Sequence, residues 1–213
     1  MNNIVIVGAS GLGREVYHWL SDLGEKVNTK GFLDPNKNAL LNSKIDLPIL
    51  GTEASYTPES NDEFVIAITD HKIKQKVISI LKNKNAKFRS VIHPTAIISE
   101  YAKLGAGVII YPFASISCDA TVGSFTVVNL GAVIAHDVTV GEHSFIGTYT
   151  NLGGWSAIGS KCYIGSGAVI TQRATVESSS KVSSNVCVFG KVKTGEIVMP
   201  LRNKKVKGGT LIG

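Results

Sequence analysis

A repeat of six residues runs through the second half of the chain. Starting at Ile92 and stepping by six, all 17 positions up to Val188 hold isoleucine, leucine or valine. A period of six matches neither the 3.6 residues per turn of an α-helix nor the two-residue alternation of a single strand. It fits a solenoid in which three short strands make one coil of about 18 residues and the aliphatic side chains point inward. The repeat therefore predicts a parallel β-helix of roughly 5.7 coils.

The first 88 residues follow a different pattern, in which strands alternate with helices. Strands are predicted at 3–7, 30–34 and 64–68, and helices at about 12–23 and 71–84. This alternation predicts a small Rossmann-like parallel α/β sheet, about half the size of a full dinucleotide-binding fold. We therefore divide the chain into a Rossmann-like domain (1–88), a β-helix domain (89–193) and a basic C-terminal tail (194–213).

The net charge of +6 lies almost entirely at the C-terminus. Residues 1–90 carry 12 basic and 10 acidic side chains, residues 91–190 carry 4 and 5, and residues 191–213 carry 6 and 1. Because the body of the protein is nearly neutral, the chain offers no broad face for the phosphates of a nucleic acid. No nucleic-acid partner is expected.

The apolar runs and the cysteines argue against a membrane protein, a secreted protein and a disulfide-bonded or metal-binding fold. No apolar run reaches the roughly 18 residues of a membrane span, and the N-terminus lacks the features of a signal peptide. We expect no membrane partner and a cytoplasmic location. Cys118, Cys162 and Cys187 are widely spaced without a CxxC pair, so we expect reduced, half-buried thiols rather than disulfides or a metal site.

The glycine-rich turn after the first predicted strand is a candidate phosphate-binding site. Gly8, Gly11 and Gly13 have the spacing G-x-x-G-x-G, with Ser10 between them, and this spacing differs from the dinucleotide fingerprint. Backbone N–H groups at a helix N-terminus can hold a phosphate. The alternative is a turn that is simply tight.

Two further residues of this domain are candidate ligand contacts. Asp34 ends the second predicted strand, where it either accepts hydrogen bonds from a ribose or base or forms the turn before Pro35. Lys74 is either a ligand contact or part of the solvated face of a lysine-rich helix.

His136 and Asp137 form the main candidate for catalysis in the solenoid. An imidazole beside a carboxylate suits a general base, because the carboxylate orients the ring and stabilises its cation. One coil later, His136 aligns with Gly154 and Asp137 with Trp155, and we expect the bare glycine to open a shallow slot beside the histidine. His143 is a competing base, and Cys118, one coil before His136, is a competing nucleophile.

Four segments together resemble those of one enzyme family and occur in this order. They are the glycine turn at 8–13, residues 66–74, residues 93–96, and Asn129 followed by His136 and Asp137. Over essentially its entire length the chain resembles the bacterial sugar O-acyltransferases of the sialic acid O-acetyltransferase type. These include nucleotide-sugar N-acetyltransferases of the bacillosamine and perosamine kind.

The resemblance implies a homotrimer of left-handed β-helices, with acetyl-CoA between neighbouring subunits and a nucleotide sugar on the N-terminal domain. His136 is then the base, Asp137 supports its imidazole, and Asn129 positions the acceptor. The glycine turn and Asp34 would face the nucleotide. The family positions that line the coenzyme channel are matched by Gly154, Ser166 and Ser184.

Two departures from the family pattern concern the coenzyme. Phe145 occupies a cofactor-contacting position where relatives often have a second histidine, so a backbone N–H has to polarise the thioester carbonyl instead. The segment 198–202 also differs from the usual C-terminal coil. The basic tail would leave the last coil near the coenzyme channel, where it either attracts the phosphates of CoA or only solubilises the chain.

The sequence thus predicts an acetyl-CoA-dependent N-acetyltransferase acting on a nucleotide-activated amino sugar in surface glycan or polysaccharide synthesis. Transfer is expected to be direct, with His136 as general base. One alternative is O-acetylation of a free sugar acid such as sialic acid. The other is a catalytically decayed, sugar-binding trimeric scaffold in which Phe145 marks the lost site.

Overall fold

The computed structural model describes residues 2–24 and 28–200. The N-terminal domain contains one parallel sheet with strand order β3-β2-β1-β4-β5. Its elements are β1 (Asn3–Val7), α1 (Gly11–Asp22), β2 (Thr29–Leu33), β3 (Ile49–Gly51), β4 (Asp62–Ile66), α2 (His71–Lys82) and β5 (Lys87–Phe88). The strand order confirms the Rossmann-like sheet. Strands β3 and β5 were not predicted from the sequence, because they are only three and two residues long.

The repeat region forms a parallel β-helix of two-residue strands, as predicted, with three sheets of seven, six and six strands. Sheet 1 contains β6 (Val91–Ile92), β9 (Ile109–Ile110), β12 (Val127–Val128), β15 (Phe145–Ile146), β18 (Tyr163–Ile164), β21 (Lys181–Val182) and β24 (Ile197–Val198). Sheet 2 contains β7 (Ile97–Ile98), β10 (Ser115–Ile116), β13 (Val133–Ile134), β16 (Asn151–Leu152), β19 (Val169–Ile170) and β22 (Cys187–Val188). Sheet 3 contains β8 (Lys103–Leu104), β11 (Thr121–Val122), β14 (Thr139–Val140), β17 (Ala157–Ile158), β20 (Thr175–Val176) and β23 (Lys191–Val192).

The coil length of 18 residues fixes which side chains become neighbours. Ile116 pairs with Ile134, and Ile134 pairs with Leu152, so residues 18 apart stack along the solenoid. These three side chains are at most 1% exposed, and burying each one contributes roughly 2 kcal/mol. The predicted inward position of the repeat is confirmed. Strand β24 also extends the solenoid past residue 193, where the sequence predicts the tail to begin; residues 201–213 lie outside the described residues.

The two domains share a buried contact on the outer face of sheet 1. Trp19 of α1 packs edge-on against Tyr111, with ring centroids 4.3 Å apart, and against His93 at 5.9 Å. His93 Nε2 lies 3.3 Å from an Asp22 carboxylate oxygen. The N-terminal domain therefore covers the first coils of sheet 1, while the corner between sheets 2 and 3 lies on the opposite side of the triangular solenoid.

Lys74 is buried between the two domains, which corrects the expectation of a solvated helix face. It is 0% exposed, and its Nζ donates a hydrogen bond to the Phe125 carbonyl oxygen in the solenoid at 2.9 Å. Burial lowers the pKa of Lys74 to about 8, and the nearby Asp70 carboxylate opposes this shift. An ammonium without exposed surface does not favour the ligand role either.

Replacing Lys74 by methionine should change how stability depends on pH. The folded-state pKa of about 8 lies below the ordinary 10.5, so the unfolded chain holds more protons between these values and the wild type gains stability as pH rises. The free energy of unfolding of K74M relative to wild type should fall by about 3 kcal/mol between pH 7 and pH 11. Urea unfolding at both pH values measures this, and the exposed Lys72→Met on the same helix should show no such change. Parallel curves for K74M and wild type would contradict the burial argument.

Candidate active site

His136 and Asp137 lie at the corner between β13 and β14, where sheet 2 turns into sheet 3. His136 Nδ1 lies 2.9 Å from an Asp137 carboxylate oxygen. The carboxylate only accepts, so Nδ1–H donates and Nε2 is left as the basic nitrogen. Nε2 has no hydrogen-bond partner among the described residues, and 43% of the imidazole side chain is exposed. The pair has the arrangement that a general base needs.

The next coil shapes the space around this imidazole. A Cβ placed on Gly154 would lie 2.8 Å from both Cε1 and Nε2 of His136. The predicted slot above Gly154 is therefore filled by the imidazole itself. Trp155 packs at right angles to the His136 ring, with ring centroids 4.4 Å apart. It aligns with Asp137 one coil earlier, as the 18-residue period predicts.

The glycine turn joins β1 to α1 and leaves almost no space at two of its glycines, since a Cβ on Gly8 would lie 2.7 Å from the Ala67 carbonyl oxygen. Gly8 has φ +101°, and a Cβ on Gly13 would lie 1.9 Å from the Gly8 carbonyl oxygen. Ser10 is the N-cap of α1, but its side chain makes no capping hydrogen bond. By contrast, nothing lies within 4 Å of a Cβ placed on Gly11. The turn is tight at Gly8 and Gly13 and open at Ser10 and Gly11.

Asp34 holds this turn in place. One carboxylate oxygen accepts from the backbone N–H of Ala9 at 2.8 Å, and the other accepts from Asn36 N–H at 2.9 Å. These contacts support the turn-forming interpretation of Asp34. Asp34 also lines the neighbouring cavity, so contact with a ribose or base stays a prediction.

A cleft begins at the glycine turn and continues to the solenoid. A cavity of about 460 Å³ lies at the carboxyl ends of β1, β2 and β4, lined by Gly8, Ser10, Asp34, Thr69 and Asp70 among others. In open parallel sheets this edge, where the strand order reverses, is where ligands bind. A second cavity of about 330 Å³ shares Thr69 and Asp70 with it.

The second cavity reaches the outer face of sheet 1 and brings in residues that sequence reasoning missed. Phe145 lines it together with Tyr163, Lys181 and Lys72. The Phe145 and Tyr163 rings are stacked, with centroids 5.2 Å apart and planes 6° apart. Tyr163 follows Phe145 by one coil of 18 residues, and Lys181 follows it by two. Counting in steps of 18 from Phe145 would therefore have predicted that these three side chains lie side by side. The cleft therefore combines an aromatic surface with two cations.

Asn129, Ser166 and Ser184 lie at a third place, the corner between sheets 1 and 2. The Asn129 side-chain oxygen accepts from Leu130 N–H at 2.6 Å and Thr148 Oγ1 at 3.2 Å. Gly154 accompanies His136 at the corner between sheets 2 and 3. Within one chain the structure therefore separates the predicted base from the cleft and from the two serines.

The competing base His143 and the competing nucleophile Cys118 differ from His136 in their packing and exposure. The His143 ring stacks on Phe125 with centroids 5.4 Å apart, and its Nδ1 is buried without a partner among the described residues. Burial, with a smaller contribution from Lys74, lowers the pKa of His143. All three cysteines are free, Cys162 is buried, and Cys118 and Cys187 are exposed rather than half-buried.

Comparisons with known proteins agree with both halves of this structure. Residues 3–81 match the model of the PglD N-terminal domain, and residues 137–172 match the model of the bacterial transferase hexapeptide, six repeats. These matches confirm the resemblance drawn from the sequence. The comparison with curated proteins finds no match. Among the described residues, no helix is long and apolar enough to cross a membrane.

Several solved structures share the fold over nearly the whole chain. The acetyltransferase domain of PglB from Neisseria gonorrhoeae, in complex with acetyl coenzyme A, has a TM-score of 0.84 at 24% identity, covering 92% of this chain and 96% of that one. A variant of GDP-perosamine N-acetyltransferase from Caulobacter crescentus, in complex with CoA and GDP-perosamine, has a TM-score of 0.86 at 22% identity and covers 98% of each chain. WeeI from Acinetobacter baumannii has a TM-score of 0.81 at 22% identity, covering 93% and 97%.

Proposed function

We propose that this protein is an acetyl-CoA-dependent N-acetyltransferase that acts on a nucleotide-activated amino sugar in the cytoplasm, for surface glycan or polysaccharide synthesis. The observation that carries the proposal is the His136–Asp137 pair on a β-helix: the 2.9 Å contact engages Nδ1 and leaves Nε2 without a partner among the described residues, on a side chain that is 43% exposed. Support comes from the shared fold: the PglB domain is a complex with acetyl coenzyme A, and the Caulobacter enzyme is a complex with CoA and GDP-perosamine.

The reaction proceeds by direct transfer. The sugar amine attacks the thioester carbonyl carbon while His136 Nε2 takes a proton from the amine nitrogen. Asp137 stabilises the resulting imidazolium through Nδ1–H. The tetrahedral intermediate then expels the CoA thiolate, which receives the proton from His136. Since the side chain of Phe145 has no hydrogen-bond donor, a backbone N–H stabilises the developing oxyanion.

The nucleotide sugar occupies the cleft on the N-terminal domain. The nucleotide lies in the cavity of about 460 Å³ at the glycine turn, a volume within the range usual for ligand pockets. The sugar extends past Thr69 and Asp70 towards Phe145, Tyr163 and Lys181, which line the adjoining cavity.

The active site is completed by a second subunit of a homotrimer. His136 lies at the corner between sheets 2 and 3, away from the cleft of its own chain, so a neighbouring chain has to bring acceptor and base together. The outer face of sheet 2 supports this arrangement, because Ile97, Val133 and Val169 are 71%, 40% and 39% exposed. These side chains lie in alternate coils, with Ser115 and Asn151 between them. Exposed apolar side chains on one face, rimmed by polar residues, mark interaction surfaces.

Lys72 and Lys181 keep a second candidate function open. Two cations in the adjoining cavity suit either the diphosphate of a nucleotide sugar or the carboxylate of a free sugar acid such as sialic acid. The decayed scaffold is the third candidate, but it gives no reason for an intact, hydrogen-bonded His136–Asp137 pair.

A panel assay separates these three functions. CoA release from acetyl-CoA is measured with uridine, guanosine and thymidine diphosphate amino sugars, and with free amino sugars and sialic acid. We expect turnover only with a nucleotide amino sugar. Turnover with sialic acid alone favours the second function. Binding of nucleotide sugars, seen by calorimetry, without any CoA release favours the scaffold.

Replacing Gly154 by alanine should impair this reaction without unfolding the chain. The new Cβ would lie 2.8 Å from Cε1 and Nε2 of His136, so the exposed imidazole has to turn away from its present position. We expect kcat to fall about 10- to 100-fold, with a melting temperature close to that of wild type. Steady-state kinetics and a thermal melt measure both. An unchanged kcat would show that this position of the ring is unimportant.

A further inference from the structure

Trp155 is a large aromatic side chain that remains 47% exposed beside the candidate base. Its ring stands at 86° to the His136 imidazole, with centroids 4.4 Å apart. The backbone strengthens the pairing, because Trp155 N–H donates to the His136 carbonyl oxygen at 3.2 Å. The two rings are therefore held together by coil-to-coil register as well as by their own contact.

Without this contact, little would fix the orientation of the imidazole. Its polar anchor among the described residues is the Asp137 carboxylate, which is itself 40% exposed. On the side of the next coil, Gly154 offers no side chain. A half-exposed ring with one hydrogen bond to a half-exposed partner can swing about χ1 and χ2. The indole removes that freedom.

Arg173 holds the indole in turn. Arg173 stacks one coil beyond Trp155, and its guanidinium carbon lies 5.4 Å from the centroid of the Trp155 ring. Arg173 has no ion pair with any residue in the described part of the chain, so the aromatic ring is its main side-chain contact. A cation over an indole face is a weak attraction at an exposed site, so we expect its loss to have a smaller effect than the loss of the indole itself.

We infer that Trp155 is a positioning residue for the reaction: it fixes the rotamer in which His136 Nε2 faces the acceptor, and Arg173 supports it. This inference rests on the proposed function. Small displacements of a base are costly, since an error of about 1 Å reduces rates by about 100-fold. Trp155 acts through His136 and contributes no proton or electron pair of its own.

Kinetics of Trp155→Ala, Trp155→Phe and Arg173→Ala test the inference in the full-length enzyme, with acetyl-CoA and the best acceptor from the panel. We expect W155A to lower kcat about 10- to 100-fold while both KM values change less than about 3-fold. W155F should recover to within about 3-fold of wild type, and R173A should lose about 3-fold. As a control, Tyr101→Ala removes another exposed aromatic from the same edge of the solenoid, two coils before Asp137, and should leave kcat unchanged.

Three results would overturn the inference. The first is an unchanged kcat in W155A with unchanged KM values. The second is an unchanged kcat in W155A with a raised KM for acetyl-CoA, which would make Trp155 a coenzyme contact. The third is a W155F variant as impaired as W155A.

A second measurement separates this inference from the proposed function. NMR spectra of the ligand-free protein are recorded for wild type and W155A. The ring-proton signals of His136 are assigned by their absence in H136A, and their positions are compared with those of the His18 ring protons. The indole ring current should displace them from the signals of exposed His18, and W155A should move them towards the His18 positions. Signals that W155A does not move would overturn the packing argument. Absent CoA release in wild type would instead overturn the proposed function, and the NMR comparison would still decide the role of Trp155.

Discussion

Replacing His136 by alanine should lower the rate of CoA release about 100- to 10,000-fold, the range that a positioned general base contributes. In the wild type, Nδ1–H is tied to Asp137 at 2.9 Å, so Nε2 is the nitrogen that accepts the proton. Without it, the ammonium nitrogen that forms as the amine attacks the carbonyl carbon has to lose its proton to water. The KM values should change little, because the imidazole acts on the reacting atoms in the transition state.

The loss must be distinguished from misfolding. His136 is 43% exposed, so its truncation creates no core cavity and the melting temperature should stay close to that of wild type. His18→Ala, on the exposed face of α1, provides a histidine control that should keep full activity. A folded H136A variant with normal turnover would remove the basis of the proposed mechanism.

The second large effect is expected at the glycine turn. A Cβ on Gly13 would lie 1.9 Å from the Gly8 carbonyl oxygen, so Gly13→Ala has to push β1 and α1 apart. We expect it to lower the free energy of unfolding by about 3 kcal/mol or more and to abolish binding of the nucleotide sugar. The change acts on backbone geometry, which no side-chain rotation can relieve.

Gly11→Ala is the matched control for this prediction. Both glycines lie in the first turn of α1, but nothing lies within 4 Å of a Cβ on Gly11. Alanine in a helix is favoured over glycine by about 1 kcal/mol, so G11A should be as stable as wild type or more stable. Urea unfolding and calorimetry with nucleotide sugars measure both variants. Equal stability of G13A and G11A would be incompatible with the close contact at Gly13.

The fold was largely predictable because its signals are local and repeated. An uninterrupted six-residue period fixes both the strand length and the stacking partner, so pairs such as Ile134 and Leu152 follow from counting. Strands β3 and β5 carry no such signal: they exist because they add to the edges of a sheet that other strands have already formed.

The site was predictable only where its members lie in one coil or in stacked coils. His136, Asp137 and Gly154 belong to this class. Lys74 does not, since its burial depends on how α2 docks against Phe125, a residue 51 positions away. Likewise, the continuity of the cleft from Asp34 to Lys181 depends on the placement of one domain on the other, and periodicity carries no information about that placement.

The identity of the acetylated product tests the central claim most directly. The enzyme is incubated with acetyl-CoA labelled with carbon-13 in the acetyl group and with the nucleotide amino sugar that gives the fastest CoA release, and the product is analysed by mass spectrometry and NMR. We predict one labelled acetyl group in an amide bond to the sugar nitrogen, formed by wild type and not by H136A. A labelled ester on a sugar hydroxyl, or a product formed equally well by H136A, would contradict the account.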